Sequence, residues 1–150
     1  MSVAAAETDP DRTVQVLEFS LDAERYCVDI SDIDEIVEKG SLTPVPNTAD
    51  HVVGVMDLRG ETTTIVNPKG VLDVAGEPTG ERVVIFEDEV TGSIGWLVDA
   101  VHEVSTIGTD TVESVGNEGL LNGVVSQAER FVIWLDPDAV NASTSTPEAV

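Results

Sequence analysis

The sequence predicts an all-β fold made from one supersecondary unit used twice, and three observations carry that expectation. The second half of the chain repeats the first at an offset of 67 to 69 residues. Val16-Leu17-Glu18-Phe19 lies over Val83-Val84-Ile85-Phe86, and Tyr26 to Val37 lies over Ile94 to Ser105. Gly54-Val55 matches Gly123-Val124, and Thr62 to Pro68 runs without a gap against Phe131 to Pro137. Self-similarity at a fixed period marks a repeated structural unit. The chain also holds 25 valines against three Phe, two Trp and one Tyr, and branched side chains suit a pleated surface. Finally, its apolar residues alternate in short runs separated by Gly, Asp and Pro, the pattern of a sandwich or of small barrels rather than of alternating β-α units.

In chain order, residues 1 to about 12 read as a disordered tail. Val14-Val16 leading to Phe19 and Tyr26-Val28-Ile30 form a hairpin broken at Asp22-Ala23-Glu24. Ser31 to Val37 has a capping serine and apolar residues at 33, 36 and 37, which predicts about two helical turns. Val53 to Leu58 and Thr62 to Val66 form a second hairpin turning at Arg59-Gly60-Glu61. Pro68 to Val74 predicts one turn of helix, opening on proline where a helix tolerates it. Thr79-Gly80 is the expected linker between lobe one, about 13–80, and lobe two, about 81–140. Val83-Ile85, Ser93 to Val98, Val101 to Ile107, Gly123 to Ser126 and Arg130 to Leu135 supply the second set of strands. Thr109 to Gly119, rich in Gly, Ser, Asn and Glu, reads as a mobile loop. Pro137 to Val140 predicts another single turn, and 141–150 a second disordered tail.

Composition bounds the function. The formal net charge is −22, with lysine only at positions 39 and 69. Self-repulsion on that scale strains a compact state in dilute buffer. At molar salt the Debye length falls to about 3 Å and the repulsion is largely screened. Such a surface is expected of a protein living in multimolar salt, as in a halophilic archaeon. Nucleic acid is excluded as a partner, because neutralising phosphates needs a basic patch that is missing here. The single cysteine, Cys27, rules out an intramolecular disulfide and any all-cysteine zinc cage, and reads as a buried structural thiol. The first twelve residues lack a basic start and an apolar run, so no secretion signal is expected there. No apolar stretch approaches 18 residues.

A search for catalysis finds none. His51 and His102 are the only histidines, and neither is spaced for a metal motif. Thr91-Gly92-Ser93-Ile94-Gly95 lacks the first glycine of a nucleophile turn. Asp32 and Asp34 begin like a calcium loop, but Val37 stands where glycine is needed. With 29 acidic residues, a carboxylate pair spaced for hydrolysis carries no specificity. No metal, cofactor or enzymatic activity is expected.

What remains suits binding. Where the copies differ most clearly, Leu58-Arg59-Gly60 stands against Gln127-Ala128-Glu129. Arg59 is either a surface arginine neutralised by neighbouring acids, or the partner of Glu35 beside an apolar groove. Ile33 and Ile36 fall at places equivalent to Val101 and Val104. These four are either core residues or the lining of a seam shared by two similar lobes.

From Val14 to Val140 the chain resembles the CheW family of chemotaxis coupling proteins. The resemblance rests on Leu17-Glu18-Phe19, Tyr26-Cys27-Val28-Asp29-Ile30, the Ile33-to-Ile36 segment, Thr43-Pro44-Val45-Pro46, Val53 to Gly60, Gly95 to Val101 and Leu121-Asn122-Gly123. It implies two intertwined five-stranded SH3-like barrels with short helical turns. It also implies a cytoplasmic, non-enzymatic adaptor, recruited to membrane receptor arrays, that joins chemoreceptor signalling tips to the regulatory domain of the chemotaxis histidine kinase. Membrane association would run only through the receptors. A regulatory CheW-like module of a larger kinase or receiver-fusion system is the alternative. On this resemblance Ile33, Glu35, Ile36, Arg59, Val101 and Val104 fall on or near partner surfaces. Asp57, where the family commonly has asparagine, is expected to compete with Glu35 for Arg59.

Overall fold

The structure, a computed structural model, describes residues 13–46, 51–72, 74, 80–88, 92–113, 119–127 and 130–144. The expected tails at 1–12 and 145–150, Thr79 of the linker and residues 114–118 of the expected loop lie outside the described residues.

The first copy of the repeat contributes β1 (Thr13–Leu21), β2 (Glu24–Asp29), β3 (Glu35–Glu38), β4 (Val52–Leu58), β5 (Glu61–Val66) and the short helix α1 (Pro68–Leu72). The second contributes β6 (Arg82–Asp88), β7 (Gly92–Val98), β8 (Ala100–Gly108), β9 (Val112–Glu113), β10 (Leu121–Gln127), β11 (Arg130–Leu135) and α2 (Pro137–Thr144). The two helices begin alike. Asn67 Oδ1 accepts from the Lys69 N–H, and Asp136 Oδ1 accepts from the Asp138 N–H, each capping a proline-first turn.

The strands form two sheets, ordered β8-β1-β2-β11-β10-β9 and β3-β6-β7-β5-β4. Each sheet mixes the copies. The β1–β2 hairpin is joined to the second copy's β10–β11 hairpin by parallel pairing of Tyr26 with Ile133 and Cys27 with Trp134. The β6–β7 hairpin is joined to the first copy's β4–β5 hairpin by parallel pairing of Thr64, Ile65 and Val66 with Ile94, Gly95 and Trp96. The two barrels are therefore intertwined, and neither corresponds to a continuous half of the chain at 13–80 or 81–140.

The same device draws the two edges of each sheet together. After β8 the chain makes a 3-10 turn at Thr109–Thr111 and enters β9, which pairs with β10 at the far edge. After β3 the chain reaches Thr43, which bridges Val55 of β4. Two equivalent glycines permit this crossing. A Cβ on Gly54 would lie 2.6 Å from the Thr43 carbonyl oxygen, and one on Gly123 would lie 2.4 Å from Val112 Cγ1.

Three cores follow from strand alternation. The first barrel is filled by Val16, Cys27, Ile107, Val125 and Val132. The second is filled by Met56, Ile65, Val83, Ile85 and Leu97. A larger core between the barrels gathers Phe19, Tyr26, Phe86, Trp96, Leu135 and Val140, among others. Phe86 and Trp96 have ring centroids 4.5 Å apart, and the Trp96 indole donates to Asn141 Oδ1 at 2.7 Å.

Three sequence expectations need correction. The segment 31–37 is not a two-turn helix. It makes one 3-10 turn at Ile30–Asp32, capped by Asp29 rather than Ser31, and then becomes edge strand β3 on β6. In so short an apolar run, pairing to a neighbouring strand outweighs local propensity. The described part of the expected loop is strand and turn through Glu113, because β9 closes the first barrel. Helix α2 carries the folded chain to Thr144, past residue 140 where a tail was expected, and buries Asn141 against Trp96.

Two outcomes should follow. Burial pushes the Cys27 thiol up to about 12, so its contribution is intact below the ordinary 9.0 and is lost as pH rises towards 12. Native protein should resist alkylation at Cys27, and alkaline unfolding should shift upward in Cys27→Ala; a thiol that reacts freely in the folded state refutes the burial. Inside the first barrel, Glu18 is buried and paired with Arg25 at 2.9 Å and with the Ser105 hydroxyl at 2.7 Å. Glu18→Ala should destabilise by about 3 kcal/mol. Glu18→Ile with Arg25→Ser, the residues at the equivalent places in the second copy, should recover most of that loss in urea titrations.

Candidate functional site

Arg59 sits in a two-residue hairpin loop between β4 and β5, where Leu58 pairs with Glu61. Both loop residues have positive φ, 52° at Arg59 and 87° at Gly60. That is the geometry of a type I′ turn, whose twist matches the flanking strands. Glycine makes the second position accessible; arginine at the first is held in an uncommon conformation. The turn aims the guanidinium across the end of the second barrel toward edge strand β3. There Nη1 donates to Glu35 Oε1 at 3.2 Å, and Nη2 donates to Glu35 Oε2. The hydrogen-bonded carboxylate holds the guanidinium above its ordinary pKa, and the fork fixes its plane.

The pair lies at the mouth of the second barrel, in a cleft of about 200 Å³ shared with Asp34, Leu58, Glu61, Glu87 and Ser93. Arg59 is 68% exposed and Glu35 27%, so the pair is a surface feature screened by salt. Asp57 does not compete for Arg59. In β4 the side chains of Met56 and Leu58 turn toward the barrel core, which puts Asp57 on the opposite, exposed face.

The other four sequence-predicted residues divide by depth. Ile33 and Val101 are half-buried, and both pack against the core between the barrels. Ile36 and Val104 are exposed, at 36% and 46%. Ile36 stands on β3, the edge of the second sheet, and Val104 on β8, the edge of the first. The structure thus joins Glu35 with Arg59 directly, and places the two apolar pairs at equivalent positions on two edge strands. Gln127-Ala128-Glu129, the second-copy counterpart of the arginine turn, falls partly outside the described residues.

Sequence reasoning missed one surface. The mouth of the first barrel holds Ser20, Ala23, Glu24, Arg25, His102, Arg130 and Phe131 around a cleft of about 340 Å³. Phe131 is 68% exposed. Its signal was present as an arginine next to an aromatic in a chain with few of either. His102 Nε2 lies 2.6 Å from the Ser20 hydroxyl. Burial, with Arg25 nearby, lowers its pKa. Among the described residues no cluster of His, Cys, Asp and Glu could hold a metal ion. None of the described helices is long and apolar enough to cross a membrane.

With two exchanged barrels and an arginine turn at one mouth, the chain matches the family described as CheW-like domain over residues 15–144. The chain belongs to the CheW family. Its similarity to the chemotaxis protein CheW of Thermotoga maritima is 28% identity over 148 residues, covering 95% of this chain and 97% of that protein. The CheW of Rhizobium meliloti is 29% identical over 133 residues, covering 84% and 86%. Among solved structures, the scaffolding protein TtCheW of Thermoanaerobacter tengcongensis superposes with a TM-score of 0.75 at 26% identity, over 83% of this chain and 85% of that one.

Turn geometry and ion pairing are separable here. Gly60→Val forces a branched residue into the left-handed region and should cost about 1–2 kcal/mol, while Glu35→Ala should leave the unfolding midpoint unchanged. A large loss of stability in Glu35→Ala would show that the pair holds the barrel together.

Proposed function

We propose that this CheW-family chain is a non-enzymatic scaffold of the chemotaxis system that couples chemoreceptors to the chemotaxis histidine kinase. The family match over residues 15–144 carries the reading. Likeness along nearly the whole length of the Thermotoga protein, itself a chemotaxis protein CheW, supports the adaptor reading.

The surfaces found here suit that role. Glu35 and Arg59 form a rigid, charged edge at the mouth of the second barrel, suited to the kinase's regulatory domain. Ile36 and Val104 offer apolar contacts on the edge strands, with Ile33 and Val101 supporting them from the margin of the core. A helical hairpin such as a receptor tip would lay its apolar face against contacts of this kind. Working cytoplasmically in multimolar salt, as the −22 charge favours, the protein would draw its affinity from apolar burial rather than exposed ion pairs. It would meet the membrane only through its receptors.

Pull-down at multimolar KCl with tagged wild type and Arg59→Glu, read by mass spectrometry, tests the proposal. Wild type should recover a histidine kinase and chemoreceptors, and the variant less of the kinase. Equal recovery by both would remove Arg59 from the interface. Recovery of neither, from folded protein and cells expressing both, would overturn the coupling role.

A further inference from the structure

The two copies cross between the sheets by unlike corners. In the first, residues 30–34, with their 3-10 turn, lead from β2 to β3. In the second, Asp99 alone joins β7 of one sheet to β8 of the other. That single residue is held from three sides. Its N–H donates to the Ser20 carbonyl at 3.1 Å, and its Oδ2 accepts from the Asp22 N–H in the β1–β2 turn. Lys69 of α1 brings Nζ to 3.0 Å from the same oxygen. Lys69 is one of only two lysines in the chain, yet it is 3% exposed. At the matched positions of the other copy stand Asp138 for Lys69 and Ser31 for Asp99, which cannot form an ion pair. A buried ion pair rarely gains stability over apolar packing, so its presence at one corner alone points to a task other than folding.

That task is visible along β8. Val101 pairs with Phe19 and Val104 with Leu17. Leu17 and Phe19 are two residues apart, share one face of β1 and both enter the core between the barrels. Val101 and Val104 are three residues apart, and on a regular strand they would point to opposite faces. Here the register shifts between Leu17 and Phe19, so that His102 and Glu103 together stand opposite Glu18. This bulge returns Val104 to the face of Val101. The two valines share that face only while Ala100 stays opposite Ser20, since a slip of one residue would turn Val101 away. Asp99, bonded to the Ser20 carbonyl and locked by Lys69, fixes that starting point.

We propose that Lys69 and Asp99 are positioning residues for partner docking. The buried pair sets the register of edge strand β8, so that Val101 and Val104 present one apolar line to a helical partner. This rests on the coupling role proposed above. Loss of the pair loosens the β8 edge and leaves the Glu35–Arg59 edge, on the other sheet, as it is.

The double variant Lys69→Met with Asp99→Asn tests this on the full chain. It removes both charges, keeps the apolar stem and an acceptor for the Asp22 N–H, and leaves no buried ion unpaired. Amide hydrogen exchange should quicken at residues 100–104 and stay unchanged in β4 and β5. The variant should bind the cytoplasmic fragment of a chemoreceptor recovered by wild type about tenfold more weakly, while recovering the histidine kinase as wild type does. Unchanged receptor affinity, or unchanged exchange in β8, overturns the inference. So does an equal loss of receptor and kinase, which marks a general loss of structure. Wild type that recovers no receptor instead overturns the coupling role, and this inference with it.

Discussion

The structure depends on the two short parallel seams at which the copies exchange hairpins. Parallel pairing is slightly weaker per residue than antiparallel, and these seams comprise only two residue pairs in one sheet and three in the other. What holds them is the core they enclose. Tyr26 of one seam and Trp96 of the other both lie in that core, with Phe19 6.1 Å from each ring centroid. Asn141 of α2 satisfies the Trp96 indole from the side, which explains why the last helix runs longer than its proline signal required. Because each barrel takes hairpins from both copies, half a chain would leave both sheets short and the aromatic core open to water. Every surface feature at a mouth is therefore assembled from strands distant in sequence.

Much of this was legible beforehand because duplication is a strong signal. Both hairpins of the first copy, both helix-opening prolines and the β-rich class follow from alternation and turn chemistry. The I′ turn points the guanidinium at β3 and pairs it with Glu35, as one of the two open readings had it, but the cleft beside the pair is lined by Asp34, Glu61, Glu87 and Ser93 with only Leu58 apolar, not by the apolar groove expected there. The exchange of strands was not legible from alternation or turns, since both topologies use the same hairpins with the same faces buried; it came only from the family likeness. Segment 31–37 misled because three apolar residues within five positions satisfy a helical period as well as a strand's, and only the β6 edge settles the choice. The first-barrel mouth escaped notice because Ser20, Arg25, His102 and Arg130 are scattered over 111 positions and converge only through the exchange.

The interiors of the barrels diverged along with their mouths. Where the second barrel buries Ile85 and packs Val37 against it, the first buries Glu18 against Arg25 and Ser105. A buried ion pair is poor evidence for stability, since apolar replacement is often neutral or better. Its presence in one copy and absence from the other therefore asks for a reason other than folding. Geometry supplies one. Glu18 fixes the Arg25 side chain from below, and Arg25 lines the cleft beside Arg130 and His102. The buried carboxylate thus holds a cation at the first mouth, as Glu35 holds Arg59 at the second. Each mouth presents one guanidinium held by a carboxylate from another strand, by a two-point contact at Arg59 and a single hydrogen bond at Arg25. In a protein of net charge −22, high salt would screen the exposed Glu35–Arg59 pair far more than the buried Glu18 and its arginine. Two copies of one scaffold, differing in a few charges at matched positions, then suffice to give the molecule two unlike ends.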